Sequence, residues 1–285
     1  MAGFAHRGGQ KENFENSLSA FKHSLELKYF GLELDVHKTK DNKFVIFHDR
    51  NLKRGTGQDI LISDIDFKDI LPYKKTIYDE WNEENDTFEN KPTEKAPLLE
   101  DLLKLVRREN VGMSIDLKSN CPDDFKELIH LIIENGVEDK VIIGGFDSKK
   151  CHEKMKEMKI NLPMFFDVKD CVWFFFSVLF GFLPFISFRN DWLMVPHGFH
   201  GFKNSHLYRT YKLAKLAYFI FWIESFYFVL VSWHMNRRGI PVIFWVLNTE
   251  VDWELGAKMG ANALMTDYPS RMKDYFENQN NFAKW

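Results

Sequence analysis

Short apolar runs alternate with amphipathic stretches along most of the chain, and this alternation constrains the fold more than any other feature. Phe4–His6, Leu32–Val36, Phe44–Phe47, Met113–Leu117, Val141–Gly145, Pro163–Asp167, Trp192–Val195, Val242–Leu247 and Ala263–Thr266 read as strands. Between many of them the apolar residues fall at helical spacing. Ser17–Lys28 places Leu18, Phe21 and Leu25 on one face, with Asn16 as the expected N-cap. Leu98–Arg108, Asp123–Glu134 and Glu250–Met259 follow the same rule, the last ending at Gly260. Buried strands separated by helices predict a parallel α/β sheet. The expected architecture is a somewhat irregular TIM (β/α)8 barrel. Nine strand-like runs exceed the eight a barrel needs, so one lies outside it. Leu32–Val36 and Phe44–Phe47 are the expected irregularity, because only the turn Asp41-Asn42-Lys43 fits between them. No GxGxxG follows a strand, which disfavours an open dinucleotide-binding sheet.

The acidic stretch 79–95 reads as a solvated excursion, and no Pro- or Ser-rich linker divides the chain. One domain, residues 1–285, is expected, with a hydrophobic insertion over 171–233. A net charge of −3 gives no electrostatic footprint for nucleic acid, so no such partner is expected. Cys121, Cys151 and Cys171 are odd in number and widely spaced, which predicts free thiols in a reducing compartment. The first apolar residues are broken at once by His6 and Arg7, so no secretory signal is read.

Polar residues gather where the expected strands end, and in a barrel those ends form the active site. His6 and Arg7 precede two glycines, pairing a proton-transfer group with an anion clamp. Glu33 and Asp35 are two apart in a strand and share a face. Burying both is costly unless a cation lies between them, and a divalent metal is the natural answer. His48 and Asp49 end the next run. Asp116 interrupts an apolar strand, with Lys118 on the same face. Trp245, Asn248 and the segment Thr266-Asp267-Tyr268-Pro269 end the last two strands. Three oxygen donors without a nearby cysteine favour Mg²⁺ or Ca²⁺ over zinc. Two histidines supply acid and base, while Arg and Lys suit a phosphate. The reaction class these residues imply is metal-assisted phosphodiester cleavage.

These motifs resemble the glycerophosphodiester phosphodiesterase family. AHRGGQKENFENSLSAF at 5–21 is similar to its opening HRG…ENT..AF. ELDVHKTKDNKFVIFHDRNLKRGTG at 33–57 is similar to its ELDV..TKD…V..HD..L.R.TG block. IDLK at 115–118, WVLN at 245–248 and MTDYP at 265–269 resemble the later motifs IE.K, WTVN and TDYP. The likeness runs from residue 5 to about 276 and is strongest to the eukaryotic membrane-associated lysophospholipase D branch. It implies a TIM barrel with a metal at its mouth, bound by Glu33, Asp35 and Asp116. His6 and His48 become the acid–base pair, with metal contact by His48 as an alternative. Arg7 and Lys118 hold phosphate oxygens, Glu15 and Asn16 lie near the substrate, and Trp245 lines its groove. The implied activity is hydrolysis of glycerophosphodiesters, in particular lysophospholipids, to a lysophosphatidic acid and an alcohol or amine. A cyclising lipase of the sphingomyelinase D-like type and a non-catalytic lipid-binding barrel are the alternatives.

The chain has 28 Phe, 9 Tyr and 8 Trp, yet its mean hydropathy is −0.33, so the aromatics must be gathered locally. Residues 171–188 carry no charge before the motif ends at Phe188, and 216–233 form a second aromatic run with one charge, Glu224. A helix over 171–188 would be ~27 Å long, short of the ~30 Å hydrocarbon core. A single crossing would also put Glu33 and Trp245 on opposite sides of a bilayer, splitting one site. The expected arrangement is a re-entrant or interfacial hairpin at the barrel mouth, with a hydrophobic cap or dimer face as the alternative. The expected location is an intracellular membrane surface.

Overall fold

The computed structural model describes residues 1–79, 84–119, 121–145, 147–196, 215 and 228–278. Its main sheet is built from β1 (Ala2–Ala5), β2 (Gly31–Lys38), β6 (Gly112–Leu117), β7 (Val141–Gly145), β8 (Leu193–Pro196), β9 (Val242–Trp245) and β10 (Ala263–Thr266). They neighbour one another in the order β7-β6-β2-β1-β10-β9-β8, and every one of these pairings is parallel. The gap between the two ends is spanned by a short extended segment. Met164 bridges to Ile143 of β7, and Phe165 bridges to Trp192 just ahead of β8, both in parallel sense. Residues 163–166 thus take the eighth position, and the sheet curls into a TIM barrel. The expected strand Pro163–Asp167 is present as a bridged segment only.

The surplus strand-like run is β3 (Phe44–Ile46). It pairs antiparallel with the end of β2, Val36 opposite Ile46, and stands off the barrel. The acidic excursion holds a further antiparallel hairpin, β4 (Thr76–Asp79) with β5 (Glu84–Thr87). Phe14, Phe47, Leu52, Tyr73, Ile77 and Phe88 form a separate apolar cluster beneath this elaboration. The segment from β3 to β4 is therefore a packed platform, whereas residues 85–95 stay exposed or half-exposed apart from Phe88, as a solvated excursion would.

Alternation along the strands sorts residues between two cores. Leu32, Leu34, Val36, Met113, Ile115 and Leu117 face the outer helices. Phe4, Ile142, Met194, Ile243 and Met265 fill the barrel. The helices begin on ordinary caps. Ser17, not Asn16, caps α1 (Leu18–Glu26), its Oγ accepting from Ala20 N at 3.2 Å. Thr249 caps the helix Glu250–Lys258 through Asp252 N at 3.2 Å. Asn16 sits instead at φ 55°, which frees its side chain for the site below.

Closure at the bridged segment depends on Gly144. A Cβ there would lie 1.7 Å from Cζ of Phe165, whose ring covers the glycine. Gly144→Ala is expected to cost about 1–3 kcal/mol by overpacking, read from denaturant unfolding, and Phe165→Leu in the same chain should recover part of it. Unchanged stability in the single variant would show that the ring does not close over the strand.

Candidate active site

The turn after β1 is tight because three successive residues leave ordinary backbone space. Arg7 sits at φ 49°, Gly8 at 78° and Gly9 at 98°. A Cβ on Gly8 would meet Cβ of Ala20 at 2.8 Å, and one on Gly9 would meet Cγ of Pro269 at 2.6 Å. The glycines thus seat the turn against α1 and the last βα corner, so their first task is packing. The turn aims the Arg7 backbone N–H at Oε2 of Glu33, 2.9 Å away.

Glu33 and Asp35 project from one face of β2 and are both buried. Parallel register puts Asp35 beside Asp116 of β6. Asn16 grips Asp35 twice. Its Nδ2 donates to Oδ2 at 3.0 Å, and its Oδ1 accepts from the Asp35 backbone N–H at 3.4 Å. Lys118 Nζ lies 2.8 Å from Asp35 Oδ1 and 2.5 Å from Asp116 Oδ2. Arg7 Nε stands 3.6 Å from Asp35 Oδ2, and its NH1 donates to Glu15 Oε2 at 3.3 Å.

The two histidines are held by the same device. His6 Nδ1 is 2.6 Å from Asp267 Oδ1, and His48 Nδ1 is 2.6 Å from Asp49 Oδ1. An ionised carboxylate only accepts, so each Nδ1 donates and each Nε2 is left for chemistry. His6 Nε2 lies 3.9 Å from Glu33 Oε2. Asp267 is fixed in turn by Asn248, whose Nδ2 donates to Oδ2 at 2.6 Å and whose Oδ1 accepts from Asp267 N at 2.9 Å. On the other side Arg54 Nε donates to Asp49 Oδ2 at 2.6 Å, and its NH1 and NH2 donate to the Glu15 carboxylate. Arg54 therefore links the support of His48 to the support of Arg7. His37, on the same face of β2 as Asp35, donates Nε2–H to the His48 carbonyl at 3.0 Å.

Burial and charge set the protonation states. Burial pushes the Glu33 carboxyl up to about 7, reinforced by the charge of Asp35. Burial works in the same sense on Asp35, but Lys118, His48 and Arg7 outweigh it and hold that carboxyl well below the usual range. Burial opposes a charged His6, yet the charge and hydrogen bond of Asp267 prevail and raise its pKa. Lys118 is also raised: burial opposes its charge, and Asp35 and Asp116 more than restore it.

A metal fits this cluster by charge. Six carboxylates (Glu15, Glu33, Asp35, Asp49, Asp116 and Asp267) face three permanent cations, Arg7, Arg54 and Lys118. Even with both imidazoles protonated the cluster is short of positive charge, and Glu33 is the acid that lacks a strong cationic partner. The cage is not preformed, since no three His, Cys, Asp or Glu side chains among the described residues converge as a metal site. The Lys118 ammonium lies between Asp35 and Asp116.

All the sequence-expected residues fall in this end of the barrel, in two tiers. His6, Glu33, Asp35, His48, Asp116 and Lys118 form the upper tier. Glu15 and Asn16 are buried beneath it, with polar atoms committed to Arg7, Arg54 and Asp35. The Arg7 guanidinium is likewise a brace for Glu15 and Asp35. Trp245 is half-buried at the end of β9, packed on the barrel interior. Asp267, Asn248, Asp49 and Arg54 had no role in the sequence reading. Asp267 and Asn248 carried a signal, as polar residues ending strands. Arg54 carried a signal only as the arginine of the L.R.TG motif, because it lies in a four-residue helix, α2 (Lys53–Thr56), away from any strand end.

The family model described as "Glycerophosphoryl diester phosphodiesterase family" matches residues 6–271. Lysophospholipase D GDPD1 of Mus musculus is 30% identical over 96% of this chain and 85% of its own, and its Homo sapiens counterpart is 29% identical over the same shares. A glycerophosphodiester phosphodiesterase of Caldanaerobacter subterraneus is 25% identical over 94% of both chains. Among solved structures, an Oleispira antarctica phosphodiesterase in complex with the product sn-glycerol-3-phosphate superposes with a TM-score of 0.67 at 17% identity, covering 97% of both chains. The Thermotoga maritima glycerophosphodiester phosphodiesterase gives 0.61 at 20% identity, covering 95% of this chain and 96% of that one. With the barrel, the strand-end histidines and a match from His6 to Arg271 in agreement, the chain belongs to the glycerophosphoryl diester phosphodiesterase family.

Proposed function

We propose that this phosphoric diester hydrolase acts on lysophospholipids, releasing the headgroup alcohol or amine and leaving a lysophosphatidic acid, with a divalent cation, Mg²⁺ or Ca²⁺, as its cofactor. The observation that carries the chemistry is the pair of aspartate-held imidazoles beside two buried carboxylates. The substrate class is supported by relatives named lysophospholipase D that match over 96–98% of this chain. The paired cysteines that an oxidising compartment would favour are absent, all three thiols being free, which fits an intracellular membrane surface.

Glu33 and Asp35 would hold the cation, with Asp116 as the third donor when Lys118 turns from it to the substrate phosphate. Bound there, the ion supplies positive charge against the phosphoryl oxygens. The chain's own residues do the rest. Lys118 sits at the rim of the acid pair and is charged, so it can meet a non-bridging phosphate oxygen. One histidine takes a proton from the attacking water at Nε2, and the other gives a proton from Nε2 to the leaving oxygen. Asp267 and Asp49 keep both rings in the tautomer this exchange needs.

His6→Ala and His48→Ala should each lower kcat by ~10²–10⁴-fold, in steady-state release of choline from lysophosphatidylcholine. Near-normal turnover in either purified variant removes that residue from the chemistry. Wild-type enzyme should cleave lysophosphatidylcholine better than glycerophosphocholine, and the reverse preference would refute the lipid substrate. ³¹P NMR of the product should show a linear monoester, whereas a cyclic phosphate would mean transfer to the glycerol hydroxyl.

Asp267 raises the His6 pKa, so Asp267→Asn must lower it. In the pH profile of kcat/KM the limb that belongs to His6 should move to lower pH. An acid limb that moves makes His6 the base, and an alkaline limb that moves makes it the acid. A profile with neither limb displaced would separate His6 from proton transfer. Chelation with EDTA should abolish activity and Mg²⁺ or Ca²⁺ should restore it, while full turnover in the chelator would exclude the cation.

A further inference from the structure

The first aromatic run is not a hairpin at the barrel mouth. Helix α6 (Val168–Leu179) begins at the catalytic end, where Asp167 caps it after the bridged strand segment. Its twelve residues carry the chain about 18 Å toward the opposite end of the barrel. There the backbone turns at Gly181, φ 73°, into a short 3₁₀ turn, Leu183–Phe185. Arg238, just ahead of β9, donates to the carbonyls of Leu183 and Ile186. That bond fixes the turn beside the start of β9, at the end remote from His6. Residues 228–237 form the next helix of the outer ring. The second aromatic run otherwise lies outside the described residues.

One side of α6 is buried, with Phe174 in the core between Phe166 and Phe188. The other side is open. Trp173, Phe176, Phe180, Phe182 and Phe185 are exposed, Phe185 by 86%, and Trp233 of the neighbouring helix by 57%. Phe180 stacks on both Phe176 and Phe182, so the rings form a continuous surface. A contiguous apolar face of this kind marks an interaction site.

Its charge pattern selects the partner. Residues 171–190 and 228–240 contain Arg189, Arg237 and Arg238 and no aspartate or glutamate, in a chain of net charge −3. Arg189 and Arg237 are exposed at the edge, Arg237 resting 5.1 Å over the Trp233 ring. Aromatic rings edged by arginine suit the headgroup layer of an anionic bilayer. A second copy docked about a two-fold axis would bring arginines together with no acid to answer them. Spanning is disfavoured as well, since no helix among the described residues is long and apolar enough to cross a membrane.

We propose that this flank, from Trp173 to Phe185 with Trp233, lies in the interfacial layer of an anionic membrane. The barrel axis then runs along the bilayer surface and the catalytic mouth opens sideways, not into the lipid. Docking and catalysis are consequently separable, and soluble substrates reach the site without a membrane.

Co-sedimentation of the whole chain with phosphatidylcholine vesicles, with and without phosphatidylserine, tests this. Wild type should bind the phosphatidylserine vesicles roughly ten-fold or more tightly than the neutral ones, and high salt should remove the difference. Phe180→Ser/Phe182→Ser and Trp233→Ser should each weaken vesicle binding about ten-fold or more. Arg189→Glu/Arg237→Glu should abolish the phosphatidylserine preference. Unfolding midpoints and hydrolysis of glycerophosphocholine should stay at wild-type values in all of them. As a readout that needs no disruptive variant, nitroxide-labelled lipids should quench wild-type tryptophan fluorescence, and less so Trp173→Phe/Trp233→Phe. Binding that is equal for wild type and variants, or absent from both vesicles, overturns the proposal. So does a dimer that the same substitutions split while vesicle binding stays unchanged. Because sedimentation needs no turnover, failure of the proposed substrate would leave this result readable.

Discussion

Glu33 and Asp35 share one face of β2, are both buried, and cannot both be ionised there without help. Much of the surrounding structure reads as that help. Lys118 and Arg7 bring charge to Asp35, and Asn16 fixes both its carboxylate and its backbone. Among the described residues the Arg7 N–H is all that Glu33 receives at hydrogen-bond distance, and its pKa stays near neutrality. The pair is thus unequal: one acid is fully compensated and the other is not. A binding protein gains nothing from such an imbalance, whereas a metal-dependent hydrolase draws affinity from it.

Each imidazole is held at Nδ1 by a carboxylate of its own, outside the acid pair. Asp267 and Asn248 come from the ends of β10 and β9, while Asp49 and Arg54 come from the platform built on β3. The platform's own core, with Phe47 stacked on Tyr73 and Tyr73 on Phe14, keeps His48 at the barrel end although no barrel strand carries it. The elaboration that follows β2 therefore places His48, one of the two proposed proton carriers.

Much of this was legible in the sequence because it follows from periodicity. Two acids spaced by two on an apolar strand imply a shared buried face, and Glu33 and Asp35 behave so. Polar residues at strand ends imply a site, and His6, Lys118 and Asp267 lie there. What periodicity cannot show is which polar atoms spend themselves on one another. Glu15, Asn16 and Arg7 read as substrate ligands, yet their bonds are internal. The role of Arg54 was not readable although the L.R.TG motif includes it, because a side chain that acts across 39 residues of sequence leaves no local pattern. The ninth strand was correctly placed as the irregular one for a local reason, the three-residue turn before β3. The course of α6 was not legible, since hydropathy records that a stretch is greasy and not which end of the barrel it leaves.

Calorimetry of Mg²⁺ or Ca²⁺ binding reads directly whether Glu33 is the acid that takes the cation. With a Glu33 pKa near 7, binding at neutral pH should expel about half a proton per ion, seen as a heat that changes with the ionisation enthalpy of the buffer. Glu33→Gln should abolish both the proton release and the tight binding. Saturable binding with no proton release, or unchanged in Glu33→Gln, would contradict the assignment of the acid pair as the metal site.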